Sequence, residues 1–202
     1  MVNATPRTVN RMVCYCDDCQ TFAHALERAD LLDAHGGSEV VQVAPASLTF
    51  TAGQDQIACL RLSPKGLYRW YARCCNTPLG NTLKPALPFV GIPVQAFDPG
   101  AGPGVDQRFG PVIGAVQGKF ALGEPPAGST EFNLWLTLRA LGKVLRWKFG
   151  GSWPHPFFER ETGAARYPIT VLSRERRQAL RALCGPRPTA RPGDAPSAAL
   201  GG

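Results

Sequence analysis

Three cysteines within six residues are the part of this sequence best suited to chemistry. Cys14, Cys16 and Cys19 form a C-x-C-x-x-C array. Zinc binds thiolates at about 2.3 Å in a tetrahedral arrangement, and spacings of one and two residues let the sulfurs converge on one ion. The array therefore predicts one zinc ion per chain, ligated by Cys14, Cys16 and Cys19. The alternative, small buried thiols without metal, is a poor fit to three cysteines beside two aspartates.

The fourth position of such a site stays open at this stage, since water, a substrate thiol or a protein ligand can fill it. His24 and Cys75 are candidate protein ligands. A helical histidine is more often an ordinary hydrogen-bonded side chain, and the vicinal pair Cys74-Cys75 tends to diverge in extended chain. Asp17 or Asp18 is expected to cap the following helix. No catalytic residue can be named from spacing.

Composition narrows the class of protein. The chain has 202 residues, a net charge of +7 and 44% hydrophobic residues, which suits one domain with a core and excludes wholesale disorder. No run approaches the ~18 apolar residues of a membrane span. The N-terminus lacks the layout of a signal peptide, so we expect a cytoplasmic location with reduced cysteines.

Hydrophobic patterning predicts a mainly β fold with α additions. A helix is expected from the cysteines to about Ala34, a second from about Thr130 to Trp147, and a short third from Ser173 to about Leu183. Apolar runs bounded by turn residues predict strands. The predicted strands are Arg11–Cys16, Val40–Val43, Leu48–Thr51, Ile57–Leu62 and Leu67–Ala72, with an extended segment at Phe89–Val94.

Positive charge is concentrated in the C-terminal third of the chain. Residues 139–202 carry 12 basic and 4 acidic side chains, whereas the preceding part is close to neutral. We expect a zinc-bound β domain with Pro/Gly-rich loops over 1–128, a helical basic extension over 129–184, and a disordered tail over 185–202.

The second helix combines aromatic and basic residues. Four cations, Arg139, Lys143, Arg146 and Lys148, lie along or just after it, with tryptophan and phenylalanine nearby. Such an element suits contact with an acidic partner or a membrane surface. The alternative is a helix docked on the β unit with a solvated cationic face. The oligomeric state is not predicted.

Two motifs together resemble a known family. The cysteine array is followed by Gln20 and a helix, and an aromatic-rich strand later leads into Cys75-Asn76-Thr77-Pro78-Leu79. Over residues 9–85 this order is similar to the glutathione-dependent formaldehyde-activating enzymes and centromere protein V. The resemblance implies a β-tent, two small antiparallel sheets pinned by zinc. It also implies carbon–sulfur lyase chemistry on a thiol adduct at the zinc held by Cys14, Cys16 and Cys19.

The departures from that family concern its second, structural zinc. The family's early C-x-C motif has no counterpart among the 13 residues before Cys14. In the last motif, Cys75 falls on the second cysteine, but Ala72 replaces the first and Asn76 replaces the glycine. Asn tolerates the left-handed conformation that such a turn often needs. We therefore expect one zinc rather than two, and a non-catalytic zinc-stabilised module remains the alternative to an enzyme.

Overall fold

The computed structural model describes residues 9–97, 104–150 and 153–186. Within these ranges the chain forms eight strands and four α-helices. The strands are β1 Asn10–Cys14, β2 Ser38–Val43, β3 Ile57–Arg61, β4 Tyr68–Ala72, β5 Thr77–Thr82, β6 Val90–Pro93, β7 Ala115–Val116 and β8 Ile169–Val171. The helices are α1 Asp17–Ala25, α2 Val105–Phe109, α3 Leu134–Gly150 and α4 Arg174–Arg181.

The strands form one mixed sheet in the order β7-β1-β2-β6-β5-β4-β3-β8. The inner pairs are antiparallel, while the edge strands β7 and β8 run parallel to β1 and β3. A mainly β fold with added helices is therefore confirmed, although the described strands form one mixed sheet rather than the two small antiparallel sheets that a β-tent implies. Its two halves meet through a single registered pair, Asn81 with Gly91.

The main core centres on Trp70 of β4, which is completely buried. Phe157 stacks on its ring at 4.6 Å, Phe158 meets it edge-on at 5.5 Å, and its Nε1 donates to Thr82 Oγ1 at 2.9 Å. The two phenylalanines and β8 belong to the region 129–184, for which we expected a helical extension. That region therefore supplies core aromatics and an edge strand as well as α3 and α4.

Helix α3 begins later than expected because Asn133 caps it. Asn133 Oδ1 accepts from the Leu136 N–H at 2.9 Å, so the helix starts at Leu134 rather than Thr130. Leu136 then packs against Met12 and Val40 of the first two strands. This contact anchors the start of α3 to the sheet.

Other predicted boundaries also moved. Helix α1 ends at Ala25 rather than Ala34, and Glu27 follows it with φ 57°. A left-handed residue of this kind cannot continue an α-helix. The expected strand at Leu48–Thr51 is wrong, since the chain there leaves a short 3₁₀ turn. Strands β5, β7 and β8 were not predicted, and residues 187–202 of the expected tail lie outside the described residues.

A membrane-spanning helix must be both long and apolar. Over residues 9–97, 104–150 and 153–186, none is both long and apolar enough to cross a bilayer. This finding agrees with the absence of a long apolar run in the sequence.

We predict an acid-sensitive stability that depends on His155. Burial first, and the charge of Arg166 second, lower its pKa from 6.5 to about 4. The native ring is neutral, with Nδ1 accepting from the Phe157 N–H at 3.2 Å. As the pH falls, the unfolded chain binds this proton before the native chain does. The stabilisation of the native state by the neutral His155 ring is therefore complete above pH 6.5 and is lost as the pH falls through about 4. The loss is about 3 kcal/mol.

The measurement is urea unfolding across this pH range, comparing the wild-type chain with His155→Phe. The variant keeps an aromatic ring but cannot titrate, so its free energy of unfolding should fall less steeply with acid. Parallel curves for the two proteins would contradict the prediction.

Candidate metal centre

The three predicted ligands come together where β1 turns into α1. Cys14 is the last residue of β1, Cys16 precedes α1, and Cys19 lies in its first turn. Their sulfur atoms all lie within 4.8 Å of one another. Tetrahedral Zn–S bonds of 2.3 Å place sulfurs about 3.8 Å apart, so the cluster fits such an ion with small adjustments. The three cysteines can hold a metal ion.

The local backbone explains this convergence. Cys16 is extended, with φ −60° and ψ 145°, and is itself the N-cap of α1. Its sulfur accepts from the Cys19 N–H at 3.4 Å. The expectation that an aspartate caps the helix is therefore wrong. Asp17 and Asp18 lie instead in the first turn, where negative charge is favourable to the helix dipole.

A network of buried polar contacts holds the turn that carries the three cysteines against the loop after α1. Gln20 is fully buried, and its Nε2 donates to Tyr15 O at 2.7 Å. The Tyr15 hydroxyl donates to Asp33 Oδ2 at 3.0 Å. A Cβ on Gly37 would come within 2.6 Å of both side chains, so only glycine fits there. These contacts hold the loop that follows α1 against the cysteine turn.

A buried arginine lies beside the sulfurs. Arg69 of β4 is 1% exposed, and its Nη1 is 3.9 Å from Cys19 Sγ. The same nitrogen donates to Asn81 Oδ1 at 3.4 Å, and Nη2 is 3.9 Å from Asp18 Oδ2. The guanidinium also faces the Phe22 ring at 5.4 Å. A buried cation needs nearby negative charge, which ionised thiols supply.

Helix α4 covers part of α1 next to the cysteine cluster. Helix α4 packs against α1, and Arg181 is ion-paired with both Asp17 and Asp18. Beyond α4, Cys184 Sγ lies 3.4 Å from Thr21 Oγ1. Residues far apart in the sequence therefore hold the first turn of α1 in place.

Without a metal ion, the three cysteine thiols differ in pKa. Hydrogen bonds with Cys14 and Cys16, aided by the charge of Arg69, hold the pKa of Cys19 well below its usual range. The hydrogen bond to Cys16 chiefly raises the pKa of Cys14 well above its usual range. For Cys16, the bond with Cys14 lowers the pKa, but the bond with Cys19 and burial raise it to about 12. Cys19 is thus the first thiolate, and a divalent ion would displace the remaining protons.

The candidate fourth ligands do not join this cluster. Among the described residues, it is the only group of three or more His, Cys, Asp or Glu with ligand atoms this close. Cys75 is exposed at the turn between β4 and β5, where its sulfur lies 3.5 Å from that of Cys74. Asn76 has φ 53°, which confirms the left-handed turn expected there. His24 also lies outside the group.

Space near the sulfurs is small. Cys19, Arg69 and Asn81 help line a cavity of about 10 Å³, which is roughly one water molecule. A larger cavity of about 470 Å³ lies elsewhere, between the N-terminal half of α3 with the residues that precede it and strands β1, β2 and β7, and none of the three cysteines lines it. An incoming molecule must therefore reach the half-buried sulfurs from their solvent side or displace neighbouring side chains.

Sequence reasoning missed the two arginines of the site. Arg69 lies 50 positions from Cys19 and Arg181 lies 164 from Asp17. One feature of the sequence could have indicated Arg69. It is the only charged residue in a predicted strand of apolar and aromatic residues, where a charged side chain needs a partner.

Comparison with known proteins gives a family without an assigned function. Residues 1–166 match the family of unknown function DUF6151. The chain belongs to this family. The match includes the cysteine cluster and Arg69, whereas Arg181 of α4 lies beyond its end. Searches of curated proteins and of solved structures found no match.

We predict that Cys16→Ser lowers the zinc content of the purified chain and its melting temperature. Losing one of three thiolates weakens the site, and metal binding is coupled to folding. Metal analysis and thermal unfolding measure the two effects. Cys74→Ser is the matched control, because Cys74 is exposed and outside the cluster. Unchanged zinc content in a fully folded Cys16→Ser protein would refute the assignment.

Arg69 should tune the metal affinity through its charge. We predict that Arg69→Gln lowers zinc affinity roughly 10–100-fold, as loss of a group supporting the ligands typically does. Arg69→Lys keeps the charge and should retain most of the affinity. Competition with a chromophoric chelator measures both, with circular dichroism to confirm folding. Equal affinity in folded Arg69→Gln and wild-type proteins would show that the guanidinium does not support the thiolates.

Proposed function

We propose that this protein binds one zinc ion through Cys14, Cys16 and Cys19, and that the fourth coordination position accepts a small thiol. Three sulfurs within 4.8 Å of one another, beside a buried guanidinium, support the proposal. Sulfur ligands select soft or borderline metals such as zinc over magnesium or calcium. The cluster offers three ligand atoms, which suits an ion that keeps one position for an external ligand.

The chain's own charges favour a thiol ligand. A divalent ion with three thiolates carries one net negative charge, which Arg69 offsets from 3.9 Å. When bound, zinc supplies Lewis-acid stabilisation of an incoming thiolate. Three anionic ligands make bound water less acidic than three histidines do, so the site suits exchange of soft thiolates better than hydrolysis.

We extend the proposal to a reaction on the strength of the motif resemblance. A carbon–sulfur lyase acting on a thiol adduct, such as that of glutathione with formaldehyde, needs a place where the thiolate is stabilised as the bond to carbon breaks. Cys14, Cys16 and Cys19 would hold the stabilising ion, and Arg69, fixed by Asn81, would balance its charge. As the carbon–sulfur bond breaks, the sulfur leaves with the electron pair as a thiolate, the carbon–oxygen bond of the adduct becomes the carbonyl, and the hydroxyl proton passes to solvent.

A second function is a zinc-stabilised module without catalysis. The cavity of about 10 Å³ beside Cys19 favours it, because a catalytic site needs room for its substrate. In this case the zinc–thiolate cluster, through its net negative charge, would compensate Arg69 and would join β1 to α1.

Cobalt substitution separates the two functions. We predict that glutathione at millimolar concentration changes the visible spectrum of the cobalt-substituted chain, and that the change grows with pH as the thiol ionises. S-methylglutathione is the matched ligand control, since it has no ionisable thiol and should leave the spectrum unchanged. A four-coordinate spectrum that no thiol perturbs would reject the thiol-binding function and support the structural module.

A further inference from the structure

Helix α3 exposes an apolar face that the rest of the described chain leaves uncovered. We define the α3 stripe as five residues that are between 58% and 84% exposed. They are Leu134, Leu138, Leu141, Leu145 and Phe149. Spacings of four, three, four and four residues place all five on one side of an α-helix. Trp135 lies at one border of this side and is 57% exposed.

The opposite side of α3 makes the contact with the protein. Leu136 is 3% exposed and Trp147 is 8% exposed. Leu136 packs with Met12 and Val40, and Arg139 Nε donates to Asn10 Oδ1 at 2.8 Å. The helix is thus held to the sheet by one side while the stripe faces outward. This arrangement reverses the usual one, in which the widest apolar face of a helix is buried.

The charges on α3 favour an anionic surface as the occupant of the stripe. The helix carries Arg139, Lys143, Arg146 and Lys148, and its seventeen residues include no aspartate or glutamate. After burial, the charges of Arg139 and Arg146 lower the pKa of Lys143, a sign of mutual repulsion. An anionic surface is complementary to the four cations of α3, whereas a second copy of α3 would bring eight cations together.

We propose that the α3 stripe docks on the surface of a bilayer that contains anionic lipids. Leucines, Phe149 and Trp135 would enter the boundary between headgroups and acyl chains, where aromatic rings are favoured. Arg146 and Lys148, which are exposed and flank the stripe at helical spacing, would contact lipid phosphates. The helix would lie in the plane of the surface, since seventeen residues span about 25 Å and four of them are charged.

Vesicle sedimentation of the full chain tests this proposal. The vesicles are pure phosphatidylcholine or phosphatidylcholine mixed with phosphatidylglycerol. We expect binding to the mixed vesicles, weak binding to the neutral ones, and a decrease with added salt. Leu145→Glu should reduce binding to mixed vesicles roughly tenfold or more, because it places a carboxylate in the stripe.

Two further variants make the test specific. Leu83→Glu introduces the same change at a residue that is 49% exposed outside α3, and it should bind like the wild-type chain. Arg146→Gln should weaken binding to mixed vesicles and leave neutral vesicles unaffected. Circular dichroism confirms that each variant is folded.

Three outcomes would overturn the proposal. One is a wild-type chain that binds neither kind of vesicle, and another is equal loss of binding in Leu145→Glu and Leu83→Glu. The third is a dimer in light scattering that Leu145→Glu dissociates while vesicles stay unbound, which would assign the stripe to a second copy. None of these measurements depends on bound zinc or on thiol binding.

Discussion

A buried guanidinium beside three thiols is the interaction on which the structure of the site depends. Arg69 is 1% exposed, and a cation so placed is costly without negative charge close by. Cys19 and Asp18 provide that charge from the first turn of α1. Conversely, a divalent ion bound by the three thiolates would leave one net negative charge, which the guanidinium would offset. The arginine and the cysteine cluster therefore stabilise each other.

The contact between Arg69 and the cysteine cluster requires a fixed register of β4 in the sheet. Along β4, Arg69 points toward the cysteines while Trp70 points into the aromatic core, as alternation in a strand requires. The register of β4 against β5 shifts between Trp70 and Tyr71, where the partner Pro78 has no N–H to donate. A strand that slipped by one residue would exchange arginine and tryptophan between site and core. The stacking of Trp70 on Phe157 helps to prevent such a slip.

The C-terminal part of the chain completes both the core and the site. Phe157 fills the core under β4, and α4 brings Arg181 to the aspartates of α1. Helix α3 differs, because its widest apolar side faces away from the sheet. The described part of the region after residue 128 thus supplies buried side chains to the core and the site, and it also exposes the apolar α3 stripe. Its positive charge is likewise divided between ion pairs near the cysteines and the cations of α3.

The sequence by itself determined the local features. The C-x-C-x-x-C spacing located the cluster, since ligands two to five residues apart converge through backbone geometry alone. Apolar runs bounded by turn residues located β2, β3 and β4, and Asn76 indicated the left-handed turn. Strand β5 was missed because Pro78 and Gly80 disfavour a strand, and only pairing with β4 on one side and β6 on the other overrides them.

Tertiary structure alone decided the partners of these features. Nothing local to Arg69 shows that it faces Cys19, because that contact depends on how the β4 register and the position of α1 combine. The edge strands β7 and β8, two and three residues long, exist only through parallel pairing with distant strands. Exposure of the α3 stripe is equally non-local. Its periodicity marks an apolar face, but whether that face is buried depends on the contacts of Leu136 and Arg139 with β1.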